Sequence, residues 1–184
     1  MDCTKCNTKQ CRTGTACKAT KSNAEEIRAM YHESRNQDIV QAAAQLVDNG
    51  RAGTLSRMQE IVEFAKTMQY KTIGLAYCYG MELQAAEVVY YFRNAGLHMV
   101  PVSCTVGAHT QAEVNQQSCI HKVSCNPLSQ VAQMQAEGVD FAITMGLCLG
   151  HDILFNKYIG VDVTNLLVKD RVYNHQPLQA LKTK

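Results

Sequence analysis

From Lys71 onward the chain alternates two kinds of pattern, and this alternation limits its fold more than any other feature. Short apolar runs occupy residues 71–77, 97–103, 139–145 and 161–168. Helical periodicity fills residues 81–94, 127–137 and 151–158 between them. Strands separated by helices cannot pair as tight hairpins. Each crossover returns the chain to the same end of the sheet, so the strands run parallel and helices cover both faces. The pattern predicts a Rossmann-like three-layer α/β domain with a parallel sheet of about four strands.

Helices precede this region. Ser22 and Glu25 have capping-box spacing ahead of Ile27, Met30 and Tyr31. A second helix is predicted from about Gln37 to Val47, closed by Asn49-Gly50. A third covers residues 54–68, with Leu55, Met58, Ile61, Val62, Phe64 and Ala65 mostly on one face. Met30, Tyr31, Tyr90 and Tyr91 are read as core. The first 21 residues hold Cys3, Cys6, Cys11 and Cys17 and almost no large apolar side chain. Such a segment builds no core and needs a staple such as a metal. The expected organisation is a four-cysteine segment at 1–21 and one α/β domain at 22–184. Within that domain, 22–69 is helical and 70–184 alternates.

A chain of 184 residues, 46% hydrophobic, suits one ordinary domain with a short appendage. Its formal net charge of +2 and charged fraction of 18% give no bulk-charge drive toward nucleic acid. No aromatic residue interleaves the basic N-terminal segment for base stacking, so nucleic acid is disfavoured. No apolar run reaches the roughly 20 residues that span a bilayer, and the start carries no apolar signal segment. A cytoplasmic protein is expected.

Nine cysteines in a reducing compartment then point to metal or catalysis rather than disulfides, and an odd number cannot pair fully within one chain. The plainer alternative is small buried hydrophobes, which suits cysteines inside strands better than cysteines at strand ends. The spacing Cys3-x2-Cys6-x4-Cys11-x5-Cys17 can close four thiolates around one Zn²⁺ or one [4Fe-4S] cluster. Lys5, Lys9, Arg12, Lys18 and Lys21 balance the charge of such a site. The x4 and x5 gaps match neither paired zinc knuckles nor a ferredoxin run, so the metal stays open.

Ligands of open parallel sheets bind beyond the carboxyl ends of the strands. Cys78 and Cys104 close the first and second strands, Cys125 precedes Asn126-Pro127 at a helix start, and Cys148 follows the third strand. Cys78-Tyr79-Gly80-Met81-Glu82 parallels Cys148-Leu149-Gly150-His151-Asp152. Glycine after each cysteine would allow a tight turn, and the acid falls in the first helical turn, where the dipole favours it. That dipole also favours thiolate. Cys78, Cys104, Cys125 and Cys148 are candidate ligands of a second metal or cluster site. Cys125, Cys148, His151 and Asp152 are candidate catalytic groups. Lys169 and Arg171 could hold an anionic substrate or balance a cluster. His109, Cys119 and His121 in the long loop are spare ligands or part of a lid.

These residues carry a resemblance. Gly74-Leu75-Ala76-Tyr77-Cys78, Ser124-Cys125-Asn126-Pro127-Leu128, Gly146-Leu147-Cys148-Leu149-Gly150-His151-Asp152 and Val168-Lys169-Asp170-Arg171-Val172 lie behind the N-terminal cysteine run. Together with Leu55-Ser56-Arg57 after Gly50, they resemble a family of small prokaryotic proteins of unknown function often described as metal-binding. The resemblance covers nearly the whole chain. It implies metal at the N-terminal cysteines and no agreed activity. The reading is a metal-binding protein, zinc or iron–sulfur, with a sheet-edge cysteine site for sulfur, redox or cluster chemistry. Its partners would be the metal or cluster and a small anionic or sulfur-containing substrate, with no membrane. The competing classes are a non-enzymatic metal or cluster carrier and a zinc-stabilised binding module with buried thiols.

Overall fold

The computed structural model describes residues 1–182. The chain divides into two compact units, Met1–Gln45 and Leu46–Lys184. The first holds 3₁₀ turns at Cys3–Lys5 and Gln10–Thr13, helix α1 (Ala24–His32) and most of α2 (Ser34–Val47). Asn23, not Ser22, caps α1: its side chain accepts from Glu25 N at 3.0 Å, and its Nδ2 donates to Glu26. Either residue type can cap, and the one-residue shift lies within the ambiguity of neighbouring Ser and Asn.

The second unit opens with α3 (Arg57–Thr67), entered by a Ser56–Gln59 capping box. It continues with β1 (Ile73–Tyr77), α4 (Glu82–Asn94), β2 (Met99–Ser103), α5 (Gln111–Val114), α6 (Pro127–Ala136), β3 (Phe141–Met145), α7 (Leu149–Tyr158) and β4 (Asp162–Leu167). All strand pairings are parallel, in the order β2-β1-β3-β4. The α/β fold read from the sequence is therefore present, with each strand within two residues of its expected bounds.

Strand alternation sorts the core onto two faces. Ile73, Leu75, Phe141 and Ile143 pack with Ile61, Val62 and Ala65 of α3 and Ala85, Val89 and Phe92 of α4. Ala76, Val102 and Ala142 pack on the other face with Val131 and Met134 of α6, Phe155 of α7 and Ile159 just beyond it. Burying a side chain such as Phe92 or Phe155 contributes about 1.5–3 kcal/mol. The helix after β1 thus goes to one face and the helix after β3 to the other. Their strands are neighbours, so the chain parts between the carboxyl ends of β1 and β3, and this is where a doubly wound sheet opens its crevice.

Met30, Tyr31, Tyr90 and Tyr91 are not core. All four are exposed, Tyr90 by 70%. In α4 the buried stripe is Ala85, Val89 and Phe92, and Tyr90 and Tyr91 fall off it. In α1 no residue is buried. Apolar periodicity shows which side of a helix is greasy and leaves open what covers it. Among the described residues no helix is long and apolar enough to cross a membrane.

Candidate functional site

Backbone hydrogen bonds carry the thiols to the crevice. Cys78 extends β1 by one residue, its N–H donating to Met145 O at 3.2 Å, and its carbonyl then accepts from Met81 N to start the turn into α4. Cys104 extends β2 in the same way: its N–H donates to Tyr77 O at 2.9 Å, and its sulfur accepts from Tyr79 N at 3.3 Å. The Cys104 carbonyl accepts from Asn126 N at 2.7 Å, which ties the start of α6 to the end of β2. Asn126 caps α6 by accepting from Ser129 N, and Pro127 occupies its first turn. Cys125 is thereby held against Cys104, whose Sγ–H donates to Cys125 Sγ at 3.5 Å.

Cys148 arrives from β3. Gly146, two residues earlier, has φ +63° and donates to Leu167 O at 2.7 Å. A Cβ there would overlap the Met81 thioether. The glycines expected to shape the two turns, Gly80 and Gly150, have no left-handed backbone. The turn after β3 is made before the cysteine, not after it. Cys148 then takes the N-cap position of α7 without a side-chain capping bond, and Glu82 and Asp152 fall in the first turns of α4 and α7 as expected.

The loop after β4 supplies the cations. Asp170 accepts from Val172 N and Tyr173 N, both at 2.9 Å, and its own N–H donates to His175 Nδ1 at 3.1 Å. The pinned turn aims its flanking cations back at the sheet. Lys169 Nζ donates to Cys78 Sγ at 2.8 Å, and Arg171 donates to Cys148 Sγ at 3.5 Å.

Electrostatics separates the thiols. Burial pushes Cys78 upward, but the Lys169 ammonium and the Gly80 N–H outweigh it, and the net displacement is below the ordinary thiol value. Cys104 is pushed up to about 12, first by burial and then by its neighbours Cys125 and Cys78, despite the Tyr79 N–H. Cys125 is raised by burial and by the charges of Cys148 and Cys78.

Cys125, Cys148 and His151 place one sulfur, one sulfur and one imidazole nitrogen all within 4.8 Å of one another. Nδ1 of His151 is buried and has no hydrogen-bond partner among the described residues. Burial lowers the His151 pKa from 6.5. The unfolded state therefore binds this proton more readily, and the metal-free protein should lose stability as pH falls below about 6.5. Urea midpoints between pH 8 and 5 check this: the His151→Leu variant should show a shallower fall. Cys125 and His151 also line an open groove of about 680 Å³, with His109, Gln111, Asn126 and Leu154 on its walls.

Other candidates fall elsewhere. The carbonyl and Oδ1 of Asp152 accept from Asn156 Nδ2, so its hydrogen bonds run along α7. Cys119 and His121 are exposed on the long loop, which folds back through a Thr110–Val123 bridge and the short α5. Cys3, Cys11 and Cys17 are exposed in the first unit, with Cys6 half-buried. There Cys6 Sγ accepts from Lys9 N at 3.4 Å and Cys17 Sγ from Ala19 N at 3.5 Å. Lys9 N–H, ahead of Thr8, lowers the Cys6 pKa. Among the described residues no three N-terminal thiols meet the spacing shown by Cys125, Cys148 and His151.

Sequence reading missed Gln130. It is fully buried, and its Nε2 donates to Val102 O at 2.8 Å and Tyr77 O at 3.3 Å. It bridges β2 and β1 just before Cys104 and Cys78. A glutamine on the same helical stripe as Pro127, Val131 and Met134 was the available signal.

A family model described as "Protein of unknown function (DUF1847)" matches residues 15–166. An uncharacterized protein of Methanocaldococcus jannaschii is 35% identical over 188 aligned residues, which cover 100% of this chain and 95% of that protein.

Proposed function

The chain belongs to the DUF1847 family of unknown function, and from that premise we propose that it is a metal-binding protein. Its working centre is the thiol-rich edge of the sheet. Cys125, Cys148 and His151 hold one ion there, and the fourth position is left to an exchangeable ligand or substrate. The observation that carries this reading is an imidazole nitrogen of His151 within 4.8 Å of two thiol sulfurs, on a ring whose buried Nδ1 has no hydrogen-bond partner among the described residues. A buried polar atom without a partner costs about 1–3 kcal/mol, and coordination through Nδ1 would remove that cost.

The donor set favours zinc. Two sulfurs bound tetrahedrally at about 2.3 Å lie roughly 3.8 Å apart, within the observed span. A four-iron cubane would carry its cysteines on the outside of a larger body. Three protein ligands beside a groove are the arrangement of a site that exchanges or acts, whereas closed structural sites take four. When bound, the ion supplies Lewis acidity at that fourth position. Arg171 and Lys169 hold the surrounding thiols in place and offset their charge.

Cys3, Cys6, Cys11 and Cys17 form a second, separate metal site in this reading. The N–H groups on Cys6 and Cys17 are support for it, because such donors stabilise thiolate ligands. Anaerobic purification followed by zinc, iron and sulfide analysis tests both sites. The full chain should carry two ions, and Cys125→Ser/Cys148→Ser should lose one. Replacing the four N-terminal cysteines with serine should lose the other. Metal content unchanged by the Cys125/Cys148 replacement would sink the sheet-edge assignment.

A further inference from the structure

We propose that Cys78, which lies outside the Cys125–Cys148–His151 group, is a nucleophilic thiol that exchanges with small disulfides, with Cys104 as the resolving thiol. Three observations carry this, and none depends on a bound ion.

Lys169 Nζ lies 2.8 Å from Cys78 Sγ, and the Asp170-pinned turn fixes it there. A cysteine that only fills space needs no cation. The ammonium of a half-buried lysine aimed at its sulfur is the arrangement that activates it.

Gly80 has an ordinary backbone, so nothing in the turn requires glycine. A Cβ there would sit 3.7 Å from Cys78 Sγ. Gly80 thus leaves one flank of a 4%-exposed residue without a covering side chain. At Gly150, by contrast, a Cβ would meet nothing within 4 Å.

Cys104 stands one residue beyond the Tyr77–Ser103 register pair, across the β1–β2 ladder from Cys78. Adjacent strands are about 4.8 Å apart, and a disulfide needs Cα atoms roughly 4.4–6.8 Å apart.

The exchange balances. The Cys78 sulfur attacks one sulfur of R–S–S–R, the S–S bond breaks, and R–S⁻ leaves from a mixed disulfide at Cys78. Cys104 attacks Cys78 Sγ as its proton passes to the released thiolate, so no free Cys104 thiolate has to form first. A Cys78–Cys104 disulfide forms and the second R–S⁻ leaves. The two cysteines lose two electrons, and the substrate leaves as one thiol and one thiolate.

The test uses the full chain and bis(2-hydroxyethyl) disulfide below stoichiometry, with adducts mapped by mass spectrometry. Among the four sheet-edge cysteines, Cys78 should be modified first and then appear linked to Cys104. Cys104→Ser should trap the mixed disulfide on Cys78. Lys169→Met should slow modification of Cys78 roughly tenfold or more, and Lys169→Arg should recover most of that loss. First modification at Cys125 or Cys148, or a Cys78 rate indifferent to Lys169→Met, would overturn the proposal. If Lys169→Met does not fold, the order of modification in the unmutated chain decides alone. Zinc uptake measured on the same samples keeps the two readings apart: a chain that binds zinc and spares Cys78 defeats only this one.

Discussion

His151→Leu is expected to weaken zinc binding at the sheet edge by on the order of a hundredfold or more, while leaving the metal-free protein at least as stable as before. Both halves of this result fall on one imidazole ring. Without an ion, Nδ1 of His151 is buried with no partner, a cost of about 1–3 kcal/mol that a leucine of similar bulk does not carry. In the proposed site a nitrogen of the same ring is a ligand, and its loss leaves two thiolates to hold the metal. Chelator competition reads the first half and urea denaturation of the metal-free protein reads the second. A histidine kept only for packing gives the opposite pair: unchanged zinc affinity and a destabilised chain.

Gly146→Val is expected to destabilise the protein by about 3 kcal/mol or more. The backbone there is left-handed, at φ +63°. A non-glycine residue in that region costs about 1–2 kcal/mol, and more when β-branched. The new Cβ would overlap the thioether of buried Met81, and overpacking adds about 1–3 kcal/mol. Strain would also move Cys148, two residues on, so zinc affinity should fall with stability. Gly150→Ala is the control. Gly150 sits in the first turn of α7 with open space around it, and alanine should be neutral or up to about 1 kcal/mol stabilising. Equal loss from both substitutions, measured by urea denaturation, would mean that the turn after β3 is shaped otherwise.

The two glycines show where sequence reading reached its limit. Cys78 and Cys148 share a Cys-x-Gly-x-acid pattern, and the pattern located both turns. It did not say which glycine bends the chain. Gly146 does so, with a left-handed backbone and Met81 packed where a side chain would stand, and that contact joins residues far apart in sequence. The sheet itself was legible, since period-two and helical patterns are local. Lys169 and Arg171 were legible as cations at a strand end, but their pairing with Cys78 and Cys148 depends on β4 lying beside β3. The convergence of Cys125, Cys148 and His151 depends on Cys104 and Asn126 stitching β2 to α6. Tyr90 and Tyr91 misled because aromatic residues are large and apolar enough to read as core, yet α4 buries a stripe that excludes them.

The central claim is that Cys125, Cys148 and His151 bind one tetrahedral ion. Cobalt(II) titration of the full chain, with the four N-terminal cysteines replaced by serine, tests it most directly. One equivalent should produce the intense visible bands of tetrahedral cobalt and a thiolate charge-transfer band. Both should disappear in Cys148→Ser, and His151→Leu should weaken and shift them. Weak octahedral absorption, or bands untouched by Cys148→Ser, would contradict the account.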